Sequence, residues 1–317
     1  MTAAQHFSMD PADARRRFLS ACLDARLPVA SFEAPREDQA EFPVHIDVAR
    51  AGTADAETVI VLCPGGRMAE GLCASGIQTA LLRTGLQIEL PNTFALVLVH
   101  TVWPSAFEAA EWDDLIEPTA VATEWDDSLL AAAEFRLNEE SPGAPSPQDY
   151  EQQQWCRHVL SNVAERFLTS ARHLVFLDVR TGSGSYGEAE VVSCHLPGSE
   201  DEARAIEMFG ARGAANGVAI SNLRGPVARG LAATLPNRQM TSVVLEFGCY
   251  SLTTVLDSLL SRHESEAIGN GRFNGLFYPD ADDWRDRVFE GAADILRLGF
   301  RSIDRTELVA RPTDRPA

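Results

Sequence analysis

The chain has 317 residues, 45% of them hydrophobic and 23% charged: enough apolar material for a sizeable core, with an ordinary charged fraction for a soluble protein. A formal net charge of −19 gives nucleic acid and anionic membranes no long-range attraction, and both are excluded as partners on that ground. All 27 basic residues are arginine, so chemistry that needs a lysine ε-amine (a Schiff base, a lysine-bound pyridoxal, a Walker A loop) is excluded as well.

Met1 to Arg17 is polar and then Arg-rich, without the apolar stretch of a signal peptide. No apolar run approaches the ~18–20 residues that span a bilayer, so the expected location is cytoplasmic. Six scattered cysteines without a CxxC pair read as buried thiols. Asp10 to Arg26 places apolar residues at helical spacing after an Asp-Pro start, which predicts a helix. Val44 to Ala49 alternates as a strand does. Thr58 to Cys63 (TVIVLC) is a continuous β-branched run that ends at Pro64-Gly65-Gly66, the mark of a strand buried on both faces. Helical spacing resumes from Glu70 to Gly85, and Phe94 to His100 is a second buried strand.

Glu108 to Glu140 is acidic and Ala-rich, helical in part, and Ser141 to Pro147 (SPGAPSP) reads as a flexible loop. A helix over Asp149 to Ser170 leads to a third buried strand, His173 to Val179, with the Gly/Ser loop Thr181 to Gly187 at its end. A strand at Ala189 to Cys194, a helix from near Ser199, a strand at Thr241 to Phe247, and helices at Ser251 to Arg262 and Asp282 to Phe300 complete the pattern. Strands alternating with helices predict an α/β fold: a mixed, mostly parallel sheet with helices on both faces. One domain is expected over 1–310, followed by a disordered, Pro-containing tail over 311–317.

Ligands of such sheets bind beyond the carboxyl ends of the strands. Three of those ends carry charged residues in this sequence: Arg67 and Glu70 after the first buried strand, Arg180 at the end of the third, and Glu246 at the end of the later one. They predict a cleft lined by two arginines and two glutamates. Four strings then carry a family resemblance: Glu70-Gly71, Thr181-Gly182 to Tyr186-Gly187, Leu245-Glu246-Phe247-Gly248, and above all Phe277-Tyr278-Pro279-Asp280-Ala281-Asp282-Asp283-Trp284. In order and spacing the chain resembles the bacterial DUF2817 family, related to the M14 zinc carboxypeptidases, over roughly Thr58 to Ile303.

The resemblance implies a zinc-carboxypeptidase-like fold. It also implies a zinc held by His-x-x-Glu and a second His, with a separate Glu as general base. Carried over by position, the glutamate ligand is Glu70 and the base is Glu246, but both histidine positions hold arginine, Arg67 and Arg180. A guanidinium stays protonated and offers no lone pair to a metal. No metal ligand set and no cofactor is therefore expected. The first reading is a non-hydrolytic homologue that binds a partner through the Arg/Glu cleft: an active paralogue, a second copy of itself or a small anionic ligand. The second is a metal-independent enzyme on a small carboxylated or amide substrate, with Glu246 as acid/base. The third is an active zinc peptidase or amidase with substitute ligands.

Other residues are read beside these. Tyr186 is either a loop-packing ring or a ligand contact in the cleft. His195 is structural, because adjacent strand residues such as Cys194 and His195 face opposite ways. His173 sits at a strand start, away from the cleft, whereas His100 at a strand end could face it, although one histidine makes no metal site.

Overall fold

The computed structural model describes residues 2–35, 44–66, 68–102, 147–212, 226–251, 254 and 277–310. Its centre is a seven-stranded sheet in the order β1-β2-β4-β3-β5-β7-β6. The strands are β1 (Val29–Glu33), β2 (His45–Gly52), β3 (Thr58–Pro64), β4 (Phe94–His100), β5 (His173–Ser183), β6 (Ala189–Ser193) and β7 (Gln239–Tyr250). The four central strands run parallel, and β1, β2 and β6 add antiparallel edges. Every residue of β3 and of β4 is buried, as their unbroken apolar sequences predict for strands covered on both faces.

Six helices are described: α1 (Pro11–Asp24), α2 (Met68–Thr84), α3 (Pro147–Phe167), α4 (Glu200–Phe209), α5 (Pro226–Thr234) and α6 (Asp282–Ala310). Side chains on one face of the sheet form a core with α1, α2, α4 and α6, and those on the other face form a core with α3 and α5. The strand period of two decides which residue joins which core: Val175, Leu177 and Val179 of β5 face the first, Leu174 and Phe176 the second.

Local chemistry sets the helix starts. Asp10 caps α1 by accepting from Asp13 N at 2.6 Å, with Pro11 at the first helical position, where its missing N–H costs nothing. Ser199 caps α4 in the same way, accepting from Glu202 N at 3.1 Å, and Gly210 closes that helix in the left-handed conformation.

Besides the 3-10 turns Ala3–His6 and Leu86–Glu89, two elements escaped the sequence reading. β1 is a short, half-exposed edge strand, and α5 lies in a Gly- and Ala-rich stretch of little contrast. α6 also runs ten residues past its predicted end. Pro147, the last residue of the loop predicted over Ser141 to Pro147, opens α3; the rest of that loop, the acidic stretch Glu108 to Glu140, nearly all of the helix at Ser251 to Arg262 and the tail 311–317 lie outside the described residues.

Candidate functional site

The parallel strands β3, β5 and β7 end side by side, and their ends bring three of the charged residues together. Arg180 of β5 and Glu246 of β7 are register partners, so their side chains leave the sheet on the same face. On the other side of Arg180 lies Gly65, whose N–H donates to Val179 O at 2.8 Å. A Cβ on Gly65 would collide with Glu70 Oε2 and would stand 2.9 Å from Arg180 Cγ, so the Glu70 carboxylate and the Arg180 stem meet over this glycine. A Cβ on Gly182 would likewise run into Glu246 Oε1. Both glycines let a carboxylate lie directly on the backbone.

Glu70 is buried in the first turn of α2, and its Oε2 accepts from Gly66 N at 2.6 Å. A carboxylate at this position satisfies an otherwise orphaned donor and complements the positive end of the helix. Below the cluster the Cys63 thiol donates to Asp178 Oδ1 at 2.9 Å, both buried. Burial, reinforced by the Asp178 charge, pushes this thiol well above its usual pKa, so it is not a nucleophile.

The row continues outward in a way that sequence spacing did not reveal. Glu190 of the edge strand β6 is the cross-strand partner of Glu246, and Arg212 pairs with Glu190 at 2.8 Å. Arg212, Glu190, Glu246, Arg180 and Glu70 thus form a band of charge across the ends of the strands. Two directly opposed carboxylates repel, and the arginines on either side offset that repulsion.

Arg67 lies outside the described residues. Tyr186 is described but stands apart from the band: its hydroxyl donates to Asp283 Oδ1 at 3.2 Å, its ring is 6.5 Å from that of Tyr250, and it packs against the core on the α6 side. Burial, followed by the Asp283 charge, raises the Tyr186 pKa. The Phe277 to Trp284 string is a structural clamp. Tyr278 OH donates to Ser8 O at 3.0 Å, Trp284 Nε1 donates to Gly248 O at 2.9 Å, and the two rings meet edge to face at 5.7 Å. It ties the start of the chain and α6 to the end of β7, two residues beyond Glu246.

His100, whose strand-end position left both directions open, turns away from the cleft. Even-numbered residues of β4 point to the α1/α2 core, and there His100 completes a Ser–His–Asp arrangement. Its Nε2 is 2.9 Å from Ser75 Oγ and its Nδ1 is 4.0 Å from Asp47 Oδ2. Ser75 and His100 are 2% exposed and Asp47 0%, and the Phe18 ring stacks on the imidazole at 4.3 Å. A nucleophile sealed in this way meets no substrate. The group instead anchors α1, since Arg15 donates to both carboxylate oxygens of Asp47, at 2.6 and 3.1 Å, and Ser31 donates to one of them. Burial pushes the His100 pKa down to about 4. His195 is structural, as expected: it accepts from Ser242 N at 2.8 Å.

Among the described residues, no three His, Cys, Asp or Glu side chains form a group able to hold a metal ion, and no helix is long and apolar enough to cross a membrane. No curated protein matches the chain. Among solved structures, a Zn-dependent exopeptidase from Parabacteroides distasonis is 9% identical at a TM-score of 0.45, over 93% of this chain and 91% of that one. A glutaminyl cyclase from Fimbriiglobus ruber is 11% identical at 0.46, over 95% and 94%. One from Porphyromonas gingivalis is 11% identical at 0.43, over 93% and 96%. The family model DUF2817, described as a protein of unknown function, matches residues 7–110 and 150–291, most of the chain. The chain therefore belongs to the DUF2817 family.

Proposed function

We propose that this protein is a metal-free, non-hydrolytic homologue of a zinc carboxypeptidase or amidohydrolase. It acts as a binding or partner subunit through the Arg/Glu-lined cleft at the ends of β3, β5 and β7. The observation that carries this reading is the meeting of Glu70 and Arg180 over Gly65, with Glu246 beside Arg180 in register. The zinc implied by the resemblance does not fit this donor set. Zinc takes neutral imidazole, thiolate or carboxylate. The described residues at the strand ends offer two carboxylates, one of them already holding the Gly66 N–H, on either side of a guanidinium that has no lone pair to give.

What the cluster can do chemically is recognise charge. A guanidinium is a planar fork for a carboxylate or phosphate, but Glu70 and Glu246 outweigh Arg180, so this reading rests on the second arginine that the sequence places at the cleft, Arg67, joining it. The partner is a small anionic ligand, an active paralogue or a second copy of the chain. The test is metal quantification on protein purified without chelator, together with native mass spectrometry for copurified small molecules. Sub-stoichiometric metal is expected, and stoichiometric zinc that is lost in Glu70→Gln would overturn the proposal.

A further inference from the structure

A second concave surface lies away from the charged band and shares no residue with it. A cavity of about 330 Å3 opens between the end of α2, the 3-10 turn Leu86–Glu89 and one side of α6. Its floor is apolar, made by Leu86, Phe289 and Ala293. One wall is locked by an ion pair: Arg297 donates to both oxygens of Glu89, at 2.9 and 3.1 Å, and Arg301 adds its charge nearby. The α6 rim carries Glu290 and Asp294.

Three features indicate what the groove accepts. Glu290 and Asp294 are an i,i+4 pair of like charges, which costs a few tenths of a kcal/mol in an isolated helix. Arg297 reaches Asp294 at 3.4 Å, but among the described residues no cation pairs with Glu290. The rim thus has anionic charge left over. Next, two exposed large apolar side chains stand beside the cavity rather than in it. Ile88, 81% exposed, precedes Glu89, and Leu298, 46% exposed, continues the Glu290–Asp294 ridge one turn on. Apolar surface beyond the cavity mouth suits an occupant longer than a small molecule. Finally, the chain carries a net charge of −19, so a second copy meets this rim with repulsion and a basic partner meets it with attraction.

We propose that this groove docks a basic amphipathic segment of a partner protein. An apolar side chain of that segment sits on Leu86, Phe289 and Ala293, its neighbours cover Ile88 and Leu298, and arginines or lysines pair with Glu290 and Asp294. This goes beyond the cleft reading and stands or falls separately from it.

The probe is a roughly 15-residue fluorescein-labelled helical peptide with leucine at every third or fourth position and arginine elsewhere. It is titrated with the full chain and followed by fluorescence anisotropy. Binding is expected to weaken roughly tenfold or more in the double variant Glu290→Arg, Asp294→Arg. It should also weaken in Ile88→Ser, Leu298→Ser, which leaves the charges in place, and stay unchanged in Leu196→Ser, an exposed apolar side chain that does not line the groove. Amide exchange on the complex should show protection at residues 84–89 and 289–298. Three results would each overturn the proposal: no binding by the wild type, equal binding by the wild type and both groove variants (generic attraction to an acidic surface), or a wild-type dimer that Ile88→Ser, Leu298→Ser abolishes (a second copy as the occupant).

Discussion

Mild acid should destabilise the fold, and His100 should carry a separable share of the loss. The folded pKa values of His100 and His173 are both pushed down to about 4, chiefly by burial, from an ordinary value of 6.5. Between those two values the unfolded chain binds protons that the folded chain refuses, so stability falls as the pH drops through the window from about 6.5 to about 4. One such histidine contributes a loss of about 2 to 3 kcal/mol between pH 7 and 4.5, and both together give a slope approaching ~2.7 kcal/mol per pH unit. His173 is only half-buried and should give the smaller part. Asp47 does not mask the effect. Burial would raise its pKa, but the hydrogen bonds from Arg15 and Ser31 hold it below the ordinary carboxylate value, so its own loss comes at lower pH. The measurement is urea unfolding, followed by tryptophan fluorescence, of wild type and His100→Gln at pH 7, 6, 5 and 4.5. The variant should be less stable at pH 7, because the contacts to Ser75 and Phe18 are lost, yet its pH slope should be shallower. Parallel slopes would refute the claim that His100 is held neutral in the core.

Arg180→Glu sets a third carboxylate between Glu70 and Glu246 and should cost about 3 kcal/mol; an unchanged Tm would count against a charge-balanced cluster. Gly248→Ala forces a methyl into Ser185 O, a backbone atom that cannot swing aside, and should cost about 1 to 3 kcal/mol by chemical denaturation, with Gly182→Ala, where the neighbour is the movable end of Glu246, as the milder comparison. Trp284→Phe removes the donor to Gly248 O, which keeps the Gly187 N–H at 2.7 Å, and leaves a cavity where a fully buried indole packed on Tyr278, so the loss should reach about 2 to 4 kcal/mol. A much larger loss, measured in the same urea titration, would mean that the clamp does more than hold the end of β7.

The buried strands were legible because they announce themselves chemically. TVIVLC, FALVLVH and HLVFLDV have no polar face and fit only where both sides are covered. Local cap chemistry did the same for the start of α1. β1 was not legible: VASFE is short and half-exposed, and its place depends on pairing with β2 rather than on its own pattern. The site divided in the same way. Arg180 and Glu246 could be set at strand ends from their sequence positions. Glu190 and Arg212 could not be added to the band, because they enter it through the β6–β7 register and one ion pair. The direction in which His100 points was not legible, because its strand can be identified from sequence while the side covered by α1 cannot.

Composition and residue type alone therefore settled several points about this protein. It has no ε-amine for covalent chemistry, its charge repels polyanions, and an arginine, which has no lone pair to offer a metal, follows the third buried strand. Sequence order could not say which residues touch. Glu70 reaching over Gly65, Glu246 lying on Gly182 and Ser75 closing on His100 all join positions whose distance in space depends on strand order, register and the seating of α1 and α2. Those are fixed by long-range packing of two cores on one sheet, to which each local segment contributes only a part.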